Sequence, residues 1–344
     1  MHMSHVAILG TGLIGASIGL GLRAAEGTGD IEIVGFDTSR ERERAAERRK
    51  AIDRRGSSLR DAVQGASLVV ISTPVLATRE VMEEIASALA VGAIVTDTCS
   101  TKAQVMSWAE ELLPSSVNFV GSHPMAGKTE FGPAAAEATL FQDARWVIVP
   151  SRTASSAAVE TIAGLATALG AKPMYMDAAE HDAYAAAISH LPMFAASALF
   201  RLVRDSEAWP EMSLLAASGF KDTTRLAGTD ELMAHDIAAT NREQVIHWLQ
   251  RLRGALYDIE DMIADPDRSE DLLRYLAQLN IDHIAYHDGQ VGRVEIDQKG
   301  SGIPMPGMTD MLLGGALSER LRQMTEDSDE DTQTRQRRRF FGRR

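Results

Sequence analysis

The chain contains almost no cysteine: one residue, Cys99, in 344. A lone thiol excludes an internal disulfide and fits a reducing cytoplasm, which is the expected location. Long apolar runs are also missing. No stretch reaches the roughly 18 uninterrupted apolar residues of a membrane-spanning helix, so no membrane association is expected. The first ten residues, MHMSHVAILG, have no basic segment and read as neither signal peptide nor anchor. Positive charge is in deficit, with 35 Lys and Arg against 48 Asp and Glu and a formal net charge of -13. That balance argues against nucleic acid as a partner. It also means that an anionic substrate must be drawn by local positive groups. The nine histidines do not fall into zinc-ligand spacing, so no metal is expected. Internal repeats are absent.

The remainder is ordinary soluble protein, 45% hydrophobic and 24% charged, and long enough for two domains. Val6 to Leu9 is a short apolar run that leads into Gly10-Thr11-Gly12-Leu13-Ile14-Gly15. This is GxGxxG between a strand and a helix that continues to Ala25. Gly10 permits the tight turn, Gly12 lets a pyrophosphate approach the backbone, and Gly15 allows close helix–strand packing. The helix N-terminus, at Leu13 and Ile14, offers free N–H groups and a positive dipole end. A second strand, 31–36, ends at Asp37, at the spacing where a carboxylate binds the adenosine ribose hydroxyls. A carboxylate there repels a 2′-phosphate, so NAD is favoured over NADP; Arg40 nearby could instead serve NADP.

Strands and helices go on alternating. Helices are expected over 41–50, 79–89 and 104–113, the first of them heavily charged and read as a solvated face. Strands are expected over 68–72, 94–96, 118–121, 145–149 and 170–176. That rhythm implies an α/β fold, a mainly parallel, doubly wound Rossmann-type sheet over residues 1–177. Ligands bind such sheets at the carboxyl ends of the strands. The Thr73-Pro74 turn, Ser100 and His123 all fall there. His123 sits in FVGSHPMAG (119–127), read as a loop just beyond its strand. Pro124 restricts it to extended backbone. The residue serves either as a general base or as a loop histidine with a structural hydrogen bond. Ser100 reads as a helix N-cap, a substrate group, or both. Lys102 is a surface lysine or an anion contact. Cys99 reads as a small packed residue.

From Ala178 to about His287 the chain is rich in Ala, Leu and Met at helical spacing, an all-α second domain over 178–290. By analogy such a domain serves as a dimer interface. On a straight helix His181 and His190 lie on opposite sides, nine residues apart at about 100° each. His190 precedes Leu191-Pro192, where the helix should kink or restart. Arg225 either pairs with Asp222 or offers a guanidinium fork to a carboxylate. Residues 291–344 form an extension read as largely loop or disordered, acidic and then basic.

The blocks GTGLIGAS, DTCSTK, FVGSHPMAG, HDAYAAAISHLP and SGFKDTTRLAGTDELMAHDIAATN resemble, in order, the prephenate and arogenate dehydrogenases of tyrosine biosynthesis. The resemblance spans roughly residues 5 to 285. It implies a dinucleotide-binding domain followed by a helical dimerisation domain, and a homodimer. The implied reaction is oxidative decarboxylation of a cyclohexadienol, prephenate or arogenate, with NAD or NADP taking a hydride. His123 matches the histidine that helps deprotonate the ring hydroxyl, and Ser100 the serine that supports it. Lys102 matches a lysine near the substrate's anionic groups, His190 a substrate-side histidine, and Arg225 the arginine on a substrate carboxylate. The chain departs from the family at Met193, where a histidine is common, and at His235, where a tryptophan is common. The segment after the helical domain is too short for a regulatory ACT domain. A non-catalytic nucleotide-sensing dimer and a β-hydroxyacid dehydrogenase are the competing readings; the latter lacks its catalytic-lysine block here.

Overall fold

The computed structural model describes residues 4–25, 31–128, 130–289 and 291. Its centre is an eight-stranded sheet: β1 (Ser4–Leu9), β2 (Ile31–Phe36), β3 (Arg54–Arg55), β4 (Leu68–Ile71), β5 (Ile94–Asp97), β6 (Asn118–Pro124), β7 (Arg145–Pro150) and β8 (Lys172–Tyr175). The order across the sheet is β3-β2-β1-β4-β5-β6-β7-β8. All neighbours are parallel except β6 and β7. The chain runs outward from β1 in one direction and then, from β4, in the other. A crevice therefore opens beyond the carboxyl ends of β1 and β4. Strands β1 and β4 are continuous apolar runs because both faces are covered; Val6 to Leu9 and Val69 to Ile71 have no exposed surface.

The covering helices are α1 (Leu13–Ala24), α2 (Arg40–Arg48), α3 (Leu59–Val63), α4 (Val75–Ile85), α5 (Ala103–Leu112) and α6 (Ser156–Ala168). Three features differ from the sequence expectation. Helix α4 begins at Val75, directly after Pro74, whose missing N–H costs nothing at a helix start. The short β3 and α3, and the whole of α6, are not evident from apolar spacing; the Ala-rich face of α6 gives a shallow periodicity. His123 lies inside β6 rather than in a loop beyond it, because antiparallel β7 continues the ladder to His123↔Val147 and Pro124↔Trp146. Its orientation is thus set by sheet pairing as well as by Pro124.

Gly10 must be glycine. Its φ is +95°, and a Cβ would stand 2.3 Å from the Ser72 carbonyl oxygen.

Beyond β8 every described element is helical: α7 (Ala178–Ala185), α8 (Leu191–Arg204), α9 (Trp209–Leu215), α10 (Ser218–Thr224), α11 (Glu231–Thr240), α12 (Arg242–Ala264) and α13 (Ser269–His287). Helices α7 and α8 form one continuous rod, joined through a π turn at Ala186–His190. The expected kink at Pro192 is absent. In its place the Leu191 N–H reaches back five residues to the Ala186 carbonyl, a wider turn that accommodates the proline that follows. By length and composition this rod could cross a membrane. Here it carries His181, Asp182 and His190, all buried, against the first domain. The tail 292–344 lies outside the described residues.

The helical half is fastened to the sheet domain through helix ends. The Asp236 carboxylate on α11 accepts the Leu76 N–H at the start of α4, at 3.0 Å. The Asp182 carboxylate on α7 accepts the Lys102 and Ala103 N–H groups at the start of α5, at 2.7 and 2.9 Å. Thr101 and Thr240 share a hydroxyl hydrogen bond of 2.9 Å. Neither α4 nor α5 has a side-chain cap from its own N-cap residue, so the second domain satisfies N–H groups that a local cap would have taken. Asp236→Ala should lower stability by about 1 kcal/mol, the usual worth of a capping carboxylate. The denaturant midpoint checks this; an unchanged midpoint would show that the α4 clamp contributes nothing.

Candidate active site

The carboxyl ends of β1, β4, β5 and β6 bring together the Gly10–Gly15 turn, the Ser72–Pro74 turn, the Thr98–Lys102 segment and His123. The turn fits a dinucleotide. Gly12 occupies the N-cap position of α1 without a side-chain hydrogen bond, and a Cβ there would meet nothing within 4 Å. Backbone N–H groups at Leu13 and Ile14 thus begin a helix with room for a pyrophosphate in front of it. Asp37 is buried at the end of β2, its Oδ2 accepting from the Thr11 N–H at 2.9 Å and its Oδ1 from the Ser39 N–H at 2.9 Å. Each oxygen keeps acceptor capacity for a ribose hydroxyl. Thr73 shares a hydroxyl hydrogen bond with Thr78, and Pro74 holds the N-cap position of α4.

Glu43, expected on a solvated helix face, is fully buried. Its Oε1 accepts the Asp37 N–H at 3.1 Å and its Oε2 holds Arg40 at 2.8 Å. Arg40 also points at the Gly56 and Ser57 carbonyls. The arginine considered for a 2′-phosphate is therefore paired with Glu43, and Asp37 is the carboxylate at the ribose end of the cleft. Arg42 stands 3.9 Å from Asp37.

His123 is partly exposed. Its Nδ1 is 2.9 Å from Nε2 of His181, and His181 Nδ1 is 2.8 Å from Asp182 Oδ1. Burial holds the His123 pKa well below the ordinary histidine value, and His181, Lys102 and His190 push it further the same way. It is therefore a neutral imidazole at neutral pH, able to accept a proton.

Lys102 is not the anion contact suggested by its match. It is fully buried, paired with Asp97, and donates to the Ser122 carbonyl at 2.6 Å. Asp97 also accepts the Cys99 and Ser122 N–H groups. The pair ties the end of β5 to β6 one residue before His123. Breaking such a pair leaves an uncompensated buried charge, so Lys102 fixes the ground under the histidine. Ser100 is not a helix cap, since Asp182 takes the first N–H groups of α5; among the described residues its hydroxyl makes no hydrogen bond. Cys99 packs against Thr78, and burial raises its thiol pKa to about 12, which removes it as a nucleophile.

His190 is buried in the π turn, 3.3 Å from the Asn241 amide through Nδ1, while its Nε2 makes no hydrogen bond of ordinary geometry among the described residues. Burial pushes its pKa down to about 4. The Ser100 backbone carbonyl, hydrogen-bonded to the ring, and the Asp182 charge act in the opposite direction. Arg225 begins a short 3-10 turn and is exposed; neither Asp222 nor any other described residue pairs with it. The neighbouring Leu226 packs with Met193, Ile237 and Val245. Met193 is thus an apolar core residue, whereas His235 is exposed, 3.3 Å from Asp236. His181 and Asp182 form a buried hydrogen-bonded pair beside His123 that sequence spacing does not single out. A straight helix would turn His181 away from His190, but a π turn winds fewer degrees per residue and brings both toward one cleft.

Comparison with known proteins places these features in a family. The model for the nucleotide-binding domain of prephenate dehydrogenase matches residues 18–175, and that for its dimerization domain matches 177–278. A prephenate dehydrogenase of Bacillus subtilis is 33% identical over 321 residues, 91% of this chain and 83% of that one. A cyclohexadienyl dehydrogenase of Zymomonas mobilis is 32% identical, covering 76% of this chain and 89% of its own. Among solved structures, the A. aeolicus prephenate dehydrogenase in complex with hydroxyphenyl propionate and NAD+ aligns with a TM-score of 0.75 at 28% identity, over 83% of this chain and 99% of that one. The Synechocystis arogenate dehydrogenase aligns at 0.69 and 29%, over 82% and 99%. With both domain models in register, and the glycine turn and the histidine at one sheet edge, the chain belongs to the prephenate dehydrogenase family.

Proposed function

We propose that the chain catalyses the NAD-dependent oxidative decarboxylation of prephenate to 4-hydroxyphenylpyruvate. The observation that carries this reading is His123: a neutral, partly exposed imidazole at the carboxyl end of β6, beside a glycine turn shaped for a dinucleotide. NAD, when bound, accepts the hydride from the ring carbon that bears the hydroxyl. His123 takes the hydroxyl proton, which raises electron density at that carbon. Loss of carbon dioxide then makes the ring aromatic. Ser100, with an uncommitted hydroxyl, supports the substrate oxygen. His190 stands on the substrate side of the cleft, and Arg225 supplies a guanidinium for a carboxylate. Arogenate carries the same two carboxylates and differs in an amine for a keto group, so the assay must include it.

Exposed apolar side chains crowd the helical half, among them Leu214, Leu215, Leu256, Tyr257, Leu273 and Leu276. A surface of that kind is normally buried against a partner, and a homodimer is the reading it supports. Light scattering should give twice the 37.2 kDa chain mass; a monomer at micromolar concentration overturns it.

Purified protein is mixed with prephenate or arogenate, each with NAD or NADP, and reduced cofactor is followed. Reduction should be fastest with prephenate and NAD; none in any of the four rejects the enzyme. His123→Asn should bind NAD normally and lose about 10²–10⁴-fold in kcat. The wild-type pH profile carries the same point. The base is the unprotonated form, which exists above a pKa held well below the ordinary 6.5. The acid limb of kcat/KM should therefore lie below 6.5, and a limb above that value contradicts the assignment. Asp37→Ser removes the ribose acceptor and uncovers Arg42. It should cost roughly 10- to 100-fold in kcat/KM with NAD, the worth of charge-assisted hydrogen bonds, and raise relative use of NADP.

A further inference from the structure

The Asp182–His181–His123 chain has a direction that its hydrogen bonds determine. Asp182 is a carboxylate, acceptor only, and it already accepts the Lys102 and Ala103 N–H groups at the positive end of α5. Its remaining contact, Oδ1 to His181 Nδ1 at 2.8 Å, needs a donor, so His181 carries its proton on Nδ1. A neutral His181 then has only a lone pair on Nε2. That nitrogen lies 2.9 Å from His123 Nδ1, so His123 must donate from Nδ1. With His181 neutral, the arrangement that satisfies every contact leaves the Nε2 of His123 as a bare lone pair, whereas a doubly protonated His181 would reverse the His123 tautomer. The ring centroids are 5.1 Å apart and the planes lie at 70° to each other, a separation that suits an in-plane N–H pointing at a nitrogen lone pair of the neighbouring ring.

We propose that His181 is a positioning residue that fixes the base tautomer of His123 and receives the proton His123 takes up. The proposal rests on the reading of His123 as the base. The second half follows from the same distances. A proton accepted at Nε2 makes His123 an imidazolium beside His181, Lys102 and His190, an environment that disfavours a cation. Its Nδ1 proton can move 2.9 Å to His181 Nε2. The N–H bond of His123 breaks as that of His181 forms, and the positive charge comes to lie on His181, against the Asp182 carboxylate. His123 returns to a neutral ring with its remaining proton on Nε2, and the charge has left the crowded position. Lys102 is itself neutralised by Asp97, so Asp182 is the anion that faces the relay. His181 and Asp182 are 2% and 3% exposed, which keeps water from short-circuiting the path.

Two measurements test this, and the first needs no turnover. With 15N-labelled histidine, protonated and bare ring nitrogens have well separated shifts, and His123→Asn assigns the His123 signals. At neutral pH, without substrate, the wild-type His123 should show a protonated Nδ1 and a bare Nε2. The opposite tautomer overturns the proposal while leaving the dehydrogenase reading untouched; absence of turnover in wild type would sink that reading instead. The second compares His181→Gln with His181→Leu. A glutamine carbonyl can accept from His123 Nδ1 but cannot take its proton, and leucine can do neither. Expected losses in kcat are about 10-fold for Gln and about 100-fold or more for Leu, with KM and NAD affinity within a few-fold of wild type. The Leu variant alone should show loss of the fixed tautomer. Equal kcat in the two variants and wild type, or an effect confined to KM, refutes it. Should the Leu variant fail to fold, the wild-type tautomer and the Gln variant decide.

Discussion

A buried carboxylate needs donors on both oxygens, and Asp182 finds them on a distant stretch of the chain as well as next door. Two come from the first turn of α5 and one from the adjacent His181. Much else depends on this arrangement. The helix start would otherwise present open N–H groups, and the loop that holds Ser100 and Lys102 would lose its anchor. The histidine pair would have no fixed direction. Asp97 has the matching role beneath it, joining Lys102, Cys99 and Ser122 so that β5 and β6 end in register. Two buried anions thus hold the cationic and proton-bearing groups of the site in place, each satisfied by several donors.

How much of this is legible in the sequence depends on the range of the interaction. The glycine turn, Asp37 and the strand ends can be read because strand, turn and helix follow one another within about 30 residues, the span of the βαβ unit. The helical half can be read from composition. Long-range polar contacts cannot. Lys102 reads as a surface or substrate lysine because no local pattern announces a partner such as Asp97, or a carbonyl twenty positions away. Glu43 sits in a run of alternating charge, and only the folded turn beneath Asp37 shows that it is inside. His181 is turned away from the cleft by a straight-helix angle that the real rod does not obey. Pro192 is visible as a breaker, but a proline in sequence does not say whether the helix will kink or widen.

The electrostatics of the cleft run against the net charge of -13. Anionic groups entering it meet the start of α1 and the neutral His123 and His190 rather than a field of lysines. The ribose end, by contrast, carries the Asp37 carboxylate, while the buried Glu43 beneath it is paired with Arg40. The start of α1 therefore favours phosphate while Asp37 disfavours a further phosphate on the ribose, through short-range groups that solution screening affects little.

The capping of α5 by Asp182 also bears on how the molecule is made. The partners are 80 residues apart in sequence, those of the histidine pair 58, and Leu76 and Asp236 160. Contacts of that separation form late, after the loops between them have closed. During synthesis the nucleotide-binding sheet can emerge and pack before the residues that orient its histidine have left the ribosome. A nascent or truncated chain ending near Tyr175 would hold a cofactor cradle with no directed base. The capacity to bind and the capacity to react mature at different moments in the life of the chain.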